Sequence, residues 1–132
     1  MKIIVCGGRE YSNYDFLKEK LDALYQEYNF TTLVQGGARG ADRLARRWAI
    51  ENNIPYEQYD ADWKRFNMAA GPIRNDEMLN ESGATLVVAF PGNSGTWDMI
   101  KRARNKEGVK TIVYDDLERQ SKTSDSEQQP RI

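Results

Sequence analysis

Short apolar runs alternate along the chain with segments in which apolar residues recur every three or four positions. The runs at 3–6 and 85–90 are continuous, as strands buried on both faces require. Residues 14–28 show helical spacing after Asn13, a residue suited to cap a helix. The whole pattern predicts strands at 3–6, 31–34, 55–59, 85–90 and 110–114, and helices at 14–28, 41–53, 70–80 and 97–105.

This alternation predicts an α/β fold: a Rossmann-like, doubly wound parallel sheet of about five strands, in the order 3-2-1-4-5, with helices on both faces. Strands 1 and 4 are then neighbours, and the winding direction reverses between them. Ligands of such sheets bind outside the carboxyl ends of the strands at this reversal. Residues 1–117 are expected to form one domain, and the polar residues 118–132 a disordered tail with too little apolar surface to bury.

Glycines are concentrated directly after three of the predicted strands. Glycine lets a ligand approach the backbone closely, and a helix N-terminus offers unpaired N–H groups and a positive dipole end. Three such loops at one edge predict a phosphate site, although the tight turn alone explains any single loop equally well. The candidate ligand-binding residues are Gly7, Gly8, Arg9, Gly36, Gly37, Ala38, Arg39, Gly40, Asp42, Pro91, Gly92, Asn93, Ser94, Gly95 and Thr96.

A fourth segment, 70–78, begins a helix and adds Arg74 and Asn75 to the candidate site, with Pro72 suited to its first turn. Arg74 has two interpretations: an anion clamp at the mouth of the site, or a salt-bridge partner of a nearby acid such as Asp76. Asp42 also has two, because it can cap its own helix or contact a ribose hydroxyl.

Composition narrows the chemistry further. The formal net charge is −1, so no global basic field holds a polyanion, and nucleic acid is not the favoured partner. The chain has no histidine and one cysteine, Cys6, which excludes a histidine-based triad and zinc held by nitrogen and sulfur ligands. We expect no cofactor and no metal. Neither G-x-x-x-x-G-K-[ST] nor G-x-G-x-x-G occurs, which argues against a P-loop ATPase and a standard dinucleotide fold.

No apolar stretch approaches the roughly 20 residues that cross a bilayer, and the N-terminal apolar run is too short for a signal peptide. We therefore expect a cytoplasmic protein with no membrane partner.

Four segments, in this order, resemble the YspA/YpsA-like branch of the SLOG superfamily, which is related to the Lonely-Guy phosphoribohydrolases and to the DNA-processing protein DprA. They are GGREY at 7–11, VQGGARGADRLARRWA at 34–49, AGPIRNDEM at 70–78 and AFPGNSGTWDMI at 89–100. The resemblance extends from Lys2 to about Tyr114. It implies a Rossmann-like domain that takes a nucleotide-type ligand. It also implies a homodimer or higher homo-oligomer, for which residues 74–79 with Trp63 and Phe66 are the candidate face.

Three functions stay open on this basis. The first is a sensor or carrier of an adenine- or ADP-ribose-type ligand. The second is a Lonely-Guy-type N-glycosidic hydrolase of nucleoside monophosphates, with Arg74 and Asp98 as candidate catalytic residues. Met99 occupies the position of the family's glutamate, and Asp98 is offset by about 100° around the helix, which argues against hydrolysis. The third is single-stranded nucleic-acid binding, as the DprA resemblance implies. The arginine cluster Arg39, Arg43, Arg46 and Arg47 would then contact phosphates, although such a run is also typical of a solvated helix face. The aromatics either stack on bases or belong to the core or an interface: Tyr11, Trp48, Trp63 and Trp97.

Overall fold

The sheet is built from five short strands: β1 (Lys2–Cys6), β2 (Thr32–Gln35), β3 (Tyr56–Gln58), β4 (Leu86–Ala89) and β5 (Lys110–Val113). In the computed structural model, which describes residues 1–115, they are all parallel and lie in the order β3-β2-β1-β4-β5. The α/β, Rossmann-like prediction and its strand order are thereby confirmed. The predicted tail at 118–132 lies outside the described residues.

The helices are α1 (Tyr14–Tyr28), α2 (Ala41–Glu51), α3 (Trp63–Phe66), α4 (Ala70–Glu81) and α5 (Ser94–Arg104), with a 3-10 turn over Asn67–Ala69. The carboxamide of Asn13 caps α1, because its oxygen accepts from the N–H of Phe16 at 3.1 Å. Pro72 lies in the first turn of α4, as expected. None of the helices within residues 1–115 is long and apolar enough to cross a membrane.

Side chains of successive strand residues enter two separate cores, one on each face of the sheet. Ile3 and Val5 join the core under α1 and α2, whereas Ile4 and Cys6 join the core under α4 and α5. Each core is closed by the apolar stripe of its two helices. This two-layer burial fixes the register of the strands, and therefore fixes where each strand ends and each loop begins.

Two sequence-based interpretations of apolar residues need correction. Trp48 is 1% exposed in the core under α1 and α2, and its indole N–H donates to Asp22 at 2.9 Å, so it is not available to stack on a base. Met78 and Leu79 are buried under α4 and cannot form a dimer face. Of that candidate face, Trp63 stays exposed, and the neighbouring Met68 is exposed as well.

Candidate functional site

The loops after β1, β2 and β4 meet at the carboxyl edge of the sheet. The N–H of Gly8 donates to the carbonyl of Pro91 at 2.8 Å, and the carbonyl of Gly8 accepts from the N–H of Ala41 at 3.1 Å. The loop after β1 is thus hydrogen-bonded to the other two. Since β1 lies between β2 and β4, the three glycine loops assemble at the point where the winding of the sheet reverses.

Several glycines of these loops are required by the packing of one loop on another. A Cβ on Gly8 would lie 3.0 Å from the Cα of Gly92, and a Cβ on Gly92 would lie 2.7 Å from the N of Gly8. Gly40, at a φ of +80°, would press a Cβ onto the carbonyl oxygen of Gly8. Gly95 differs, because a Cβ there would meet nothing within 4 Å. Loop packing therefore explains why Gly8, Gly40 and Gly92 are glycines, whereas open space lies beside Gly95.

In the part of the chain that the structure describes, the starts of α2 and α5 have no side-chain cap, and neither has the start of α4, which continues directly from the 3-10 turn. Within residues 1–115, no side chain caps α2 at Gly40 or α5 at Asn93, whereas Asn13 caps α1 and Asp62 caps α3. The first N–H groups of a helix have no partner inside it, so an uncapped start can accept an anion. Ser94 and Gly95 are exposed in the first turn of α5, and Thr96 is buried behind them. The prediction that this helix begins at residue 97 was wrong by three residues.

Asp42 is buried beneath the loop after β2. Its carboxylate accepts hydrogen bonds from the N–H groups of Ala38, at 3.1 Å, and Gly36. Burial raises the pKa of Asp42 to about 6, although those two N–H groups and the nearby Arg74 guanidinium act in the opposite direction. The N-cap of α2 is Gly40, so Asp42 does not cap its helix and instead holds the preceding loop. Its contact with a ribose hydroxyl stays a prediction.

Arg74 points into the same region from α4. Its Nη1 donates to the carbonyls of Gly36 and Tyr59, which follow β2 and β3, and its guanidinium lies against the Cα of Gly36. Among the described residues Arg74 forms no ion pair with Asp76, which is paired with Arg102 at 3.3 Å. No salt bridge of the described residues involves Arg74, neither with Asp76 or Glu77 nor with another acid, so the salt-bridge interpretation is wrong. Arg74 secures the ends of two strands beside the Asp42 carboxylate.

Asn75 joins α4 to the first turn of α5. It is buried, its Nδ2 donates to the Gly95 carbonyl at 3.1 Å and to Asp98 at 3.0 Å, and its Oδ1 accepts from the Nε of Arg74. These contacts make Asn75 a positioning residue between the Arg74 guanidinium and the start of α5.

The two residues that bear on hydrolysis are differently placed. The Asp98 carboxylate accepts from the amide of Asn75 and from the Nε of Arg102 at 2.8 Å. Met99, at the position of the family's glutamate, is fully buried in the core under α4 and α5. Asp98 therefore belongs to a polar link between two helices, and the next residue faces the sheet.

Arg9 and Arg39 lie at the exposed rim of the loops. Arg39 pairs with Glu10 at 2.6 Å, which bridges the loops after β1 and β2 across solvent. Arg9 places its guanidinium carbon 4.8 Å from the ring centroid of Trp63. Trp63 lies beside the loops because it begins α3. This helix has four residues and is too short to show a hydrophobic period in the sequence.

One residue of the site was missed by the sequence analysis. The buried side chain of Gln35 accepts from the N–H of Gly37 at 2.6 Å and donates to Gln58 at 2.8 Å, so it shapes the loop after β2. A polar residue that ends a buried strand directly before two glycines was the available signal. No group of three or more histidine, cysteine, aspartate or glutamate side chains within residues 1–115 is arranged to hold a metal ion.

Comparison of the sequence with known proteins places the chain in a family. The family described as "YspA, cpYpsA-related SLOG family" matches residues 1–66, which contain the first two glycine loops. The gene 61 protein of Mycobacterium phage D29 is 34% identical over 123 residues, covering 87% of this chain and 97% of that protein. The chain belongs to the YspA, cpYpsA-related SLOG family.

The fold of this SLOG domain is shared with a solved structure. The X-ray structure of TM1055, a Northeast Structural Genomics Consortium target, superposes with a TM-score of 0.56 at 18% identity. The match covers 76% of this chain and 66% of TM1055, so the SLOG domain spans about two thirds of that protein's length. At this identity the similarity establishes a common fold.

Proposed function

We propose that this SLOG domain binds a nucleotide or nucleotide-derived phosphate ligand of the adenine or ADP-ribose type, as a cytoplasmic sensor or carrier. The observation that carries the proposal is the start of α5, which has no side-chain cap and lies at the reversal point of the sheet. The Gly8–Pro91 hydrogen bond holds this start against the loop after β1.

The residues around this helix start have the chemistry that a phosphate group needs. The N–H groups of the first turn and the helix dipole favour an anion, and the hydroxyl of Ser94 is exposed beside them. Arg9 and Arg39 supply positive charge at the rim, where both side chains are exposed. The oxygens of a phosphate can accept from N–H groups, hydroxyls and guanidinium groups at the same time.

Gly95→Ala tests this proposal, because the new methyl group has room in the protein but occupies the space beside the helix start. Ligand at about 100 times its Kd stabilises a binding protein by about 2.7 kcal/mol. We expect AMP, ADP or ADP-ribose to raise the Tm of the wild type, and Gly95→Ala to lose at least tenfold in affinity by calorimetry. Alanine favours a helix over glycine, so the unliganded variant should be as stable as the wild type or more so.

Lys101→Ala, a substitution of an exposed residue later in the same helix, is the matched control and should bind like the wild type. Unchanged affinity in Gly95→Ala would place the ligand elsewhere. No stabilisation of the wild type by any of the three nucleotides would defeat the binding proposal.

The second candidate function, hydrolysis of a nucleoside monophosphate, is supported by one observation. Asp42 is a buried acid beside Arg74 with a pKa of about 6, which is a range suited to proton transfer. The contacts of Asp98 and the burial of Met99 argue against the Lonely-Guy arrangement. Incubation of the protein with AMP, followed by chromatography, decides between hydrolysis and binding alone, because hydrolysis releases free adenine and binding does not.

A further inference from the structure

Trp63 exposes an aromatic ring next to the glycine loops. It begins α3 and is 45% exposed, unlike Trp48 in the core. Asp62 caps α3 by accepting from the N–H of Arg65 at 3.2 Å, and the 3-10 turn connects α3 directly to α4. The indole also lies over the start of α4, where a Cβ on Gly71 would be 3.6 Å from it. The ring is thus held by ordered backbone.

Arg9 connects this ring to the proposed phosphate site. Its guanidinium stacks on Trp63 at 4.8 Å, and it directly follows Gly8, whose N–H is bonded to the loop before α5. A guanidinium and a nucleobase are both flat and both stack on the face of an indole. The position that Arg9 occupies is therefore one that a base can take.

We propose that Trp63 is the stacking platform for the base of the ligand, and that the ligand is a purine nucleotide. The base replaces the Arg9 guanidinium on the indole, and the released guanidinium turns to the ligand's phosphate. A purine offers more overlap with an indole than a pyrimidine does, so the platform favours adenine or guanine over uracil or cytosine. This inference rests on the proposed function, and it adds the residue that holds the base and a physical reason for the preference for a purine.

The experiment measures by calorimetry the affinities of AMP, UMP and ribose 5-phosphate, which share the phosphate and differ in the base. The variants are Trp63→Ala, Trp63→Phe and Trp97→Ala, the last replacing the other exposed tryptophan. Loss of base stacking on an aromatic weakens binding by about 5- to 150-fold. We expect Trp63→Ala to lose that much affinity for AMP and to keep its affinity for ribose 5-phosphate within about twofold, a limit well below the stacking effect.

The conservative and matched variants sharpen the result. Trp63→Phe should retain most of the AMP affinity, and Trp97→Ala should retain all of it. Should Trp63→Ala fail to fold, tryptophan fluorescence of Trp97→Phe gives a second measurement, in which AMP quenches the remaining exposed indole and ribose 5-phosphate does not.

The outcomes separate this inference from the proposed function. If the wild type binds AMP and ribose 5-phosphate equally well, or if Trp97→Ala loses AMP affinity and Trp63→Ala does not, the platform is wrong and phosphate binding stands. If none of the three probes binds at millimolar concentration, the proposed function and the platform fail together.

Discussion

The Asp42 side chain is held in an environment that opposes its charge. Burial raises its pKa to about 6, and the N–H groups of Ala38 and Gly36 with the Arg74 guanidinium only partly offset that cost. An asparagine could accept the same hydrogen bonds without a charge. A carboxylate at this position therefore indicates a function for the negative charge or for its proton.

The pH dependence of stability follows from this pKa. The ordinary value for aspartate is about 3.9, so the folded protein binds the Asp42 proton more tightly than the unfolded chain does. The contribution of Asp42 to the free energy of unfolding therefore falls as pH rises from about 4 to about 7. A difference of two pKa units corresponds to about 3 kcal/mol. We expect Asp42→Asn to remove this fall, so that the variant gains stability relative to the wild type as pH rises.

Urea unfolding at several pH values between about 4.5 and 8, a range that spans the folded-state pKa, measures that difference. Asp76→Asn, a substitution of an exposed carboxylate on α4, is the control and should follow the wild type. A constant gap between Asp42→Asn and the wild type over this range would contradict the role of burial.

The sequence alone identified the residues of the site more reliably than it identified the contacts that those residues make. The glycine loops were recognisable because three of them follow predicted strands whose carboxyl ends lie at the same edge of the sheet. The partners of Arg74 were not, because the carbonyls of Gly36 and Tyr59 are distant in sequence and come together only when β2 and β3 pair. The start of α2 at residue 41 was predicted correctly, and with that start the N-cap is Gly40 and Asp42 lies inside the first turn, so the cap interpretation did not fit the predicted bounds.

At the scale of elements, α4 controls the placement of α5. Besides the shared apolar core and the surface pair of Asp76 with Arg102, one buried amide links them, that of Asn75, which contacts Arg74, the Gly95 carbonyl and Asp98. Because Arg74 in turn holds the loop after β2, this contact connects two of the three glycine loops through a helix that none of them adjoins in sequence.

Replacing this amide should weaken both the fold and the site. Asn75→Ala removes a buried amide and its hydrogen bonds to the partly buried Arg74 and Asp98 and to the Gly95 carbonyl, which costs about 1–3 kcal/mol. It also frees the first turn of α5, so we expect ligand affinity to fall in the same variant. Chemical unfolding and calorimetry with AMP measure the two effects.

Asn80→Ala is the matched control for Asn75→Ala, because Asn80 is an exposed asparagine of α4 that bonds Asp76 and Lys106 at the surface. We expect it to lower stability little and to leave affinity unchanged. Reduced stability with full AMP affinity in Asn75→Ala would show that the amide supports the fold and does not position the site.

Elements with a clear pattern of apolar residues were predicted well, and the short helical segments between β3 and α4 were not. The bounds of α1 were predicted to the residue, and the inner strands to within one residue at each end. The four-residue helix α3 and the turn after it were missed because so few residues show no helical repeat. Ser94, Gly95 and Thr96 were assigned to a loop, because a glycine near a helix start reads as a turn.

At the scale of the whole molecule, the charges and aromatics argue against a nucleic-acid interface. Arg39 and Arg47 are paired with Glu10 and Glu51, which neutralises two of the four arginines clustered around α2. Trp48, at the centre of that cluster, is buried. Homo-oligomerisation stays a prediction, for which the exposed side chains of Trp63 and Met68 are the apolar surface to examine.

Oligonucleotide binding gives a direct test of this view, because contacts to phosphates make affinity fall steeply with salt. With a net charge of −1 and with Arg39 and Arg47 paired to acids, the protein should show no binding of a single-stranded oligonucleotide by fluorescence anisotropy at about 150 mM salt. Glu10→Gln with Glu51→Gln removes both acidic partners, and this double variant should gain weak, salt-sensitive binding at low salt. The double variant is the positive control, since it frees the same arginines without adding any. Tight binding by the wild type, lost as salt rises, would instead mean that the paired arginines exchange their acids for phosphates, and the DprA-like function would replace the nucleotide-binding one.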